Sequence, residues 1–149
     1  QHPGPPSLRL QLATRSAVLA VLELASRPGE QVSSGEIAGI YGMSQHHLAK
    51  VLRTLSRNKI VASVRGPAGG CMFIGKANRL TLYDIIDLFE DNVLATSDSR
   101  TPETPIGGEM ERVLREIDRI TLATLRSVTI QTVINSARRR QQSVAAPAS

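Results

Sequence analysis

A single cysteine, Cys71, stands in a chain of 149 residues. It excludes an internal disulfide framework and any multi-cysteine metal site. Tryptophan is absent, and only two Phe and two Tyr are present. The core must therefore be aliphatic, which suits helices packed on helices better than a β-sandwich. Long hydrophobic runs are missing too. Residues 17–25 are apolar but short, contain Glu23 and follow Arg15, so they read as a buried helix rather than a signal peptide or membrane span. A cytoplasmic location without a membrane partner is the default expectation. The most informative absence is one of charge. Between Ile37 and Tyr83 there is no Asp or Glu, yet seven cations occur: Lys50, Arg53, Arg57, Lys59, Arg65, Lys76 and Arg79. Ten of the thirteen acidic residues follow, from Asp84 to Asp118. Charges separated in this way offer one face to a polyanion, and DNA is the commonest soluble candidate. The net charge of +5 understates that local field.

Local signals then order the chain. Residues 1–7 hold three prolines and a glycine and are expected to form a disordered arm. Helical periodicity begins near Leu8, continues through Ala17, Val18, Val21, Leu22 and Ala25, and stops at Arg27-Pro28-Gly29. Ser33-Ser34-Gly35-Glu36 has the spacing of a capping box and starts a second helix, with Ile37 and Ala38 inward. Gly42 suits the left-handed residue after that helix, and Ser44 can cap the next. Two short helices around so tight a turn form a helix-turn-helix. The third helix, 44–58, has Leu48, Val51, Leu52 and Leu55 on one side and His46, Lys50, Arg53 and Arg57 on the other. Residues 60–64 and 71–74 are β-prone runs around a Gly-rich tip, which makes a hairpin. A helix-turn-helix followed by a hairpin predicts a mainly α, winged-helix fold.

The expected organisation is a winged helix-turn-helix domain over 8–80, a short helix over 81–92 and an effector loop over 93–108. Dimerisation helices over 109–137 and a disordered tail over 138–149 complete it. The loop contains Pro102, Pro105 and two glycines and reads as irregular. Beyond it Met110, Val113, Leu114, Ile117, Ile120 and Leu125 repeat along a helix that a monomer of this size cannot cover. Pairing with a second copy is the expected solution.

The expected DNA contacts begin with Ser44, Gln45, His46 and His47, because the first turn of a recognition helix meets base edges. Gln reads adenine bidentately, Lys50 or Arg53 reaches guanine or phosphate, and Arg57 joins the set as a sequence-independent contact. Arg65, beside Gly66 at the hairpin tip, suits a narrow minor groove. Ser33, Ser34 and Ser63 complete the set. Charged helix stripes are usually just solvated faces; the absence of acids on this one and its place in the helix pair favour DNA. His46 and His47 point about 100° apart and do not make a metal pair. Gly70-Cys71-Met72-Phe73-Ile74-Gly75-Lys76-Ala77 nearly spells a nucleotide-binding loop, but Ala77 has no hydroxyl and the middle residues are bulky strand formers. No catalytic grouping exists, so an enzyme is not expected. Cys71 is a candidate redox position near the DNA face, although a lone cysteine in an apolar strand is more often a small buried hydrophobe.

The order Ser33-x-x-Glu36-Ile37-Ala38, Gly42-Met43-Ser44, Leu48-x-x-Val51-Leu52-x-x-Leu55, Ile60-Val61-x-Ser63 and Arg65-Gly66-x-x-Gly69-Gly70 closely resembles the Rrf-type bacterial transcription regulators. The similarity runs from about Leu8 to Ile134. It implies a homodimeric winged-helix DNA binder with crossed C-terminal helices. Many members hold an iron–sulfur cluster on three cysteines in the loop after the 81–90 helix. Here that loop has none, and Asp98 stands about where the first ligand would be. Ser97 and Ser99 do not fit the family's spacing. Lys59 replaces a usual Gly, His47 a usual Tyr, and Cys71 a usual Tyr after the two glycines. Asp98, Glu103 and Glu109 are oxygen donors, but loop carboxylates are ordinarily solvated. No cofactor is therefore expected. The partners expected are double-stranded DNA with an inverted-repeat operator, a second copy of the chain, and a small-molecule or protein effector at 93–108. The function expected is that of a sequence-specific repressor or activator. A winged-helix module that binds a partner enzyme or small ligand is the competing reading, and salt-dependent DNA binding separates the two.

Overall fold

The computed structural model describes residues 10–65, 69–91 and 100–145. The arm over 1–7, Gly66, residue 92 at the end of the expected 81–92 helix, and residues 93–99 of the expected effector loop lie outside the described residues. The elements run α1 (Leu12–Ala25), α2 (Ser34–Tyr41), α3 (Gln45–Arg57), β1 (Val61–Val64), β2 (Gly70–Phe73), α4 (Leu82–Phe89), α5 (Pro105–Ser127) and α6 (Ile130–Ala145). β1 and β2 pair antiparallel, with Ser63 opposite Cys71. This is the winged helix the sequence suggested, mainly helical with one small hairpin. No described helix is long and apolar enough to cross a membrane.

The core is aliphatic and centred on α1, which packs against α3, α4, α6 and β2. Ala17, Ala20, Val21 and Leu24 of α1 meet Leu48 and Leu55 of α3, Ile37 of α2, Ile85 of α4, and Ile130 and Ile134 of α6. Val32 exchanges backbone hydrogen bonds with Cys71, at 2.9 and 2.8 Å, and so ties the segment before α2 to the wing. Gly70 permits that approach: a Cβ there would lie 2.9 Å from the Val32 carbonyl oxygen.

The helix ends follow from a few residues each. Ser33 caps α2 by accepting from the Glu36 amide at 3.1 Å. The Glu36 side chain does not return to complete the capping box expected there; it reaches Arg27 at 3.1 Å instead. A complete box occurs at Thr81 and Asp84, ahead of α4. α2 ends at Gly42, with φ +64°, the left-handed conformation that glycine adopts without steric cost.

At the end of α3 the same kind of stop is made by a different residue. The Ile60 amide donates to the Leu55 carbonyl and the Lys59 amide to that of Ser56. Lys59 has φ +58° between them. This is a Schellman stop with lysine where glycine is preferred. We expect Lys59→Gly to stabilise the protein by about 0.5–1 kcal/mol, because relief of left-handed strain outweighs the added chain entropy. Urea unfolding midpoints test this, and a lower midpoint for the variant refutes it.

Two expected boundaries are corrected. α5 begins at Pro105, four residues before the expected Glu109, with the Thr104 hydroxyl accepting from the Gly107 amide at 2.9 Å. Proline is a breaker inside a helix but a good first residue, since its missing N–H would be unpaired there anyway. The tail expected to be disordered from 138 continues α6 through Arg138, Arg139 and Arg140 to Ala145. Arg, Gln and Ala are strong helix formers, so polarity alone does not end this helix.

Candidate nucleic-acid interface

The outer face of α3 carries Lys50, Arg53 and Arg57, all exposed, opposite the buried Leu48, Val51, Leu52 and Leu55. Arg65, also exposed, follows directly on the last residue of β1. Among the described residues none of these four cations takes part in an ion pair. Several cations elsewhere are engaged. Arg27 pairs with Glu23, Glu30 and Glu36. Arg112 and Arg119 hydrogen-bond Glu109 and Glu116, holding both carboxyls below their usual range. The α3 and wing cations form one basic face on which no carboxylate among the described residues pairs with them.

A cleft of about 390 Å³ opens beside these cations. Ser34 at the start of α2, Arg53 and Arg57 of α3, and Ser63 of β1 border it, although they are far apart in sequence. Two guanidinium groups, two hydroxyls and the first turn of a helix are donors suited to a phosphate backbone. The Ser33 and Ser44 hydroxyls accept from the Glu36 and His47 amides, so both cap helices at this face. Gln45 lies against Gly35, whose added Cβ would be 3.1 Å from the Gln45 amide nitrogen. His46 is exposed.

His47, expected among the DNA contacts, turns the other way. Its Nε2 is buried without a hydrogen-bond partner and faces α1 rather than the cationic stripe. The reason is the turn angle: His47 lies about 100° from His46 on the helix, toward the buried Leu48. Cys71 is 3% exposed, its thiol donates to the Val32 carbonyl at 3.5 Å, and burial pushes its pKa up. These features describe a small core residue, and burial disfavours the thiolate a redox role would need.

Along α5, Met110, Val113, Ile117 and Ile120 remain 41–54% exposed, and Ile106 is 85% exposed. Their spacing alternates four and three residues, the same spacing that apolar positions have along a coiled coil. Leu114 is half-buried beside them. Leu125, expected on the same seam, is only 8% exposed and packs within the chain. It lies near the end of α5, where Leu82 N–H donates to the Val128 carbonyl and Ile130 N–H to that of Leu80.

Two constraints had no signal in the sequence. Glu90, which ends α4, accepts from the Gln11 amide and the Thr14 hydroxyl, both at 2.7 Å, and so caps α1. Tyr41 donates to Glu23 at 2.6 Å, and burial together with that bond pushes its pKa up to about 12.

Comparison with known proteins agrees with this geometry. The profile of the Rrf2 family, described as iron-dependent transcriptional regulators, matches residues 10–136. BadM of Rhodopseudomonas palustris, named as an HTH-type transcriptional regulator, is 46% identical over 138 residues, covering 91% of this chain and 88% of its own. An HTH-type regulator of Aquifex aeolicus is 38% identical over 77 residues, 52% of this chain and 54% of its own. The fold is also that of CymR, the global cysteine regulator of B. subtilis, with a TM-score of 0.73 at 24% identity over 87% of this chain and 98% of that one. IscR of T. potens superposes with a TM-score of 0.68 at 25% identity over 91% and 92% of the two chains.

Proposed function

The chain belongs to the Rrf2 family of transcriptional regulators and is not an enzyme, and from that premise we propose a homodimer that binds operator DNA without an iron–sulfur cluster. The observation that carries this reading is the face of unpaired cations on α3 and the wing, continuous with the cleft between Ser34, Arg53, Arg57 and Ser63. It occupies the second helix of a helix-turn-helix, the element that enters the major groove. The α5 seam supports the dimer. Two symmetric copies would read an inverted repeat with half-sites about one or more helical turns apart.

The donor set does not fit the cluster that many family members hold. Iron–sulfur clusters need several thiolates or imidazoles at one site. The only thiol is buried in β2, and His46 and His47 lie on α3. Among the described residues no group of three His, Cys, Asp or Glu is arranged for a metal. Signal input through the segment around 93–108 then falls to a small ligand or partner protein, and the capping of α1 by Glu90 links that segment's start to the DNA-binding domain.

The test is operator affinity as a function of salt, with operators first selected from genomic fragments. With Lys50, Arg53 and Arg57 from both copies on phosphates, log K against log salt should slope at about −5. Anaerobic preparation should give a colourless protein whose binding a chelator leaves unchanged. A flat salt response removes the DNA reading, and a visible charge-transfer band with iron and sulfide removes the cluster-free one.

A further inference from the structure

We propose that the free end of α6 is a second DNA-contacting arm, which grips phosphates outside the operator half-site. The 31 residues after Asp118 hold five arginines and no Asp or Glu. Two of the five are engaged within the chain: Arg119 pairs with Glu116, and Arg126 lies 4.6 Å over the Tyr83 ring. Arg138, Arg139 and Arg140 follow one another on α6, all exposed, and no carboxylate among the described residues pairs with them. Arg139 donates to the Ser136 hydroxyl at 3.1 Å, which leaves its charge uncompensated.

The helix that carries them leaves the body of the domain. Ile130 and Ile134 anchor its first half in the core, whereas residues 137–145 are all exposed. At about 1.5 Å per residue that free part extends roughly 13 Å. So short a helix is marginal in water without a partner. The partner it fits is a polyanion. Val144 is the one large apolar side chain of the free part, the rest being Arg, Gln, Ser and Ala. That leaves no apolar stripe for a protein groove or a bilayer, while guanidinium groups match phosphate oxygens.

The base of this arm stands beside the helix-turn-helix. Arg138 and Gln141 line a cavity of about 420 Å³ together with Ser26 and Tyr41. Tyr41 is the last residue of α2 and precedes the Gly42 turn that leads to the Ser44 cap of α3. An arm rooted there starts next to the element that enters the groove, and its reach adds phosphates beyond the base pairs that α3 reads. Successive side chains on a helix diverge by about 100°, so two of the three arginines face one duplex at a time. Such contacts lengthen the footprint and carry no sequence information. This inference rests on the DNA-binding reading above.

The test uses the full chain and two duplexes of one selected operator, the first cut to the half-sites and the second extended on each side by about one helical turn of arbitrary sequence. On the short duplex the salt slope should stay at about −5, as for α3 alone. On the long one wild type should bind about tenfold more tightly at low salt, with a slope steeper by about 3–4 from two added phosphates per copy. Arg138→Gln, Arg139→Gln and Arg140→Gln combined in one chain retain good helix formers. That variant should keep its melting midpoint and bind both duplexes alike, with the shallower slope. Equal binding of the two duplexes by wild type overturns the arm, and so does a triple variant that keeps the length effect. A triple variant that sediments at half the wild-type mass also overturns it, because the arginines then act between copies. These outcomes leave the α3 reading standing, whereas a wild type that binds neither duplex removes both.

Discussion

Aspartate at both Ile117 and Ile120 should convert the protein into a folded monomer that no longer binds operator DNA. These side chains are 47% and 54% exposed in the single chain, so its own core does not depend on them. In a symmetric helix pair each change occurs twice. Every large apolar side chain removed from the seam forfeits about 1.5–3 kcal/mol, and each carboxylate left there without a partner adds a desolvation penalty. The summed loss exceeds what holds most dimers together at micromolar concentration. Half-sites on an inverted repeat are then bound one at a time, and affinity falls by orders of magnitude. Sedimentation should show half the wild-type mass with unchanged helical circular dichroism. A variant that sediments as the wild type would refute the proposed interface.

Arg65→Ala should lower specific operator affinity by about 10–100-fold, equivalent to roughly 1–3 kcal/mol, and leave non-specific binding nearly unchanged. Arg65 leaves the end of β1 exposed and without an ion-pair partner among the described residues. Its guanidinium is the one cation of the face carried by the wing rather than by α3. Lys50→Ala provides the contrast. It should weaken binding to all sequences alike and reduce the salt slope by about one unit per copy, as expected for a phosphate contact. Footprints of Arg65→Ala as strong as those of the wild type would remove the wing from the recognition scheme.

The α3 stripe, the Gly42 turn, the Ser44 cap and the hairpin were legible because each depends on neighbours within a few residues. Leu48, Val51, Leu52 and Leu55 are buried as their spacing required. The segregation of charge was equally plain, since it is a property of composition along the chain. Where the local rules misled, a second rule competed. Pro105 obeys helix-start chemistry rather than breaker chemistry. Glu36 has the capping-box position, yet Arg27 is a stronger partner than a backbone amide.

By itself, then, the sequence determined α2, α3, the Gly42 stop, the hairpin and the basic face, but not where α5 starts or α6 ends. The tertiary structure decided which distant residues meet. Glu90 caps α1 across 79 positions, Ser34 and Ser63 come together beside Arg53 and Arg57, and Leu125 turns into its own chain. His47 was decided at the same level: its place in the first turn was readable, but the side on which it meets α1 was not. The physical reason is one of range. Helical periodicity and capping report interactions over three or four residues, whereas long-range contacts follow from how the finished elements pack.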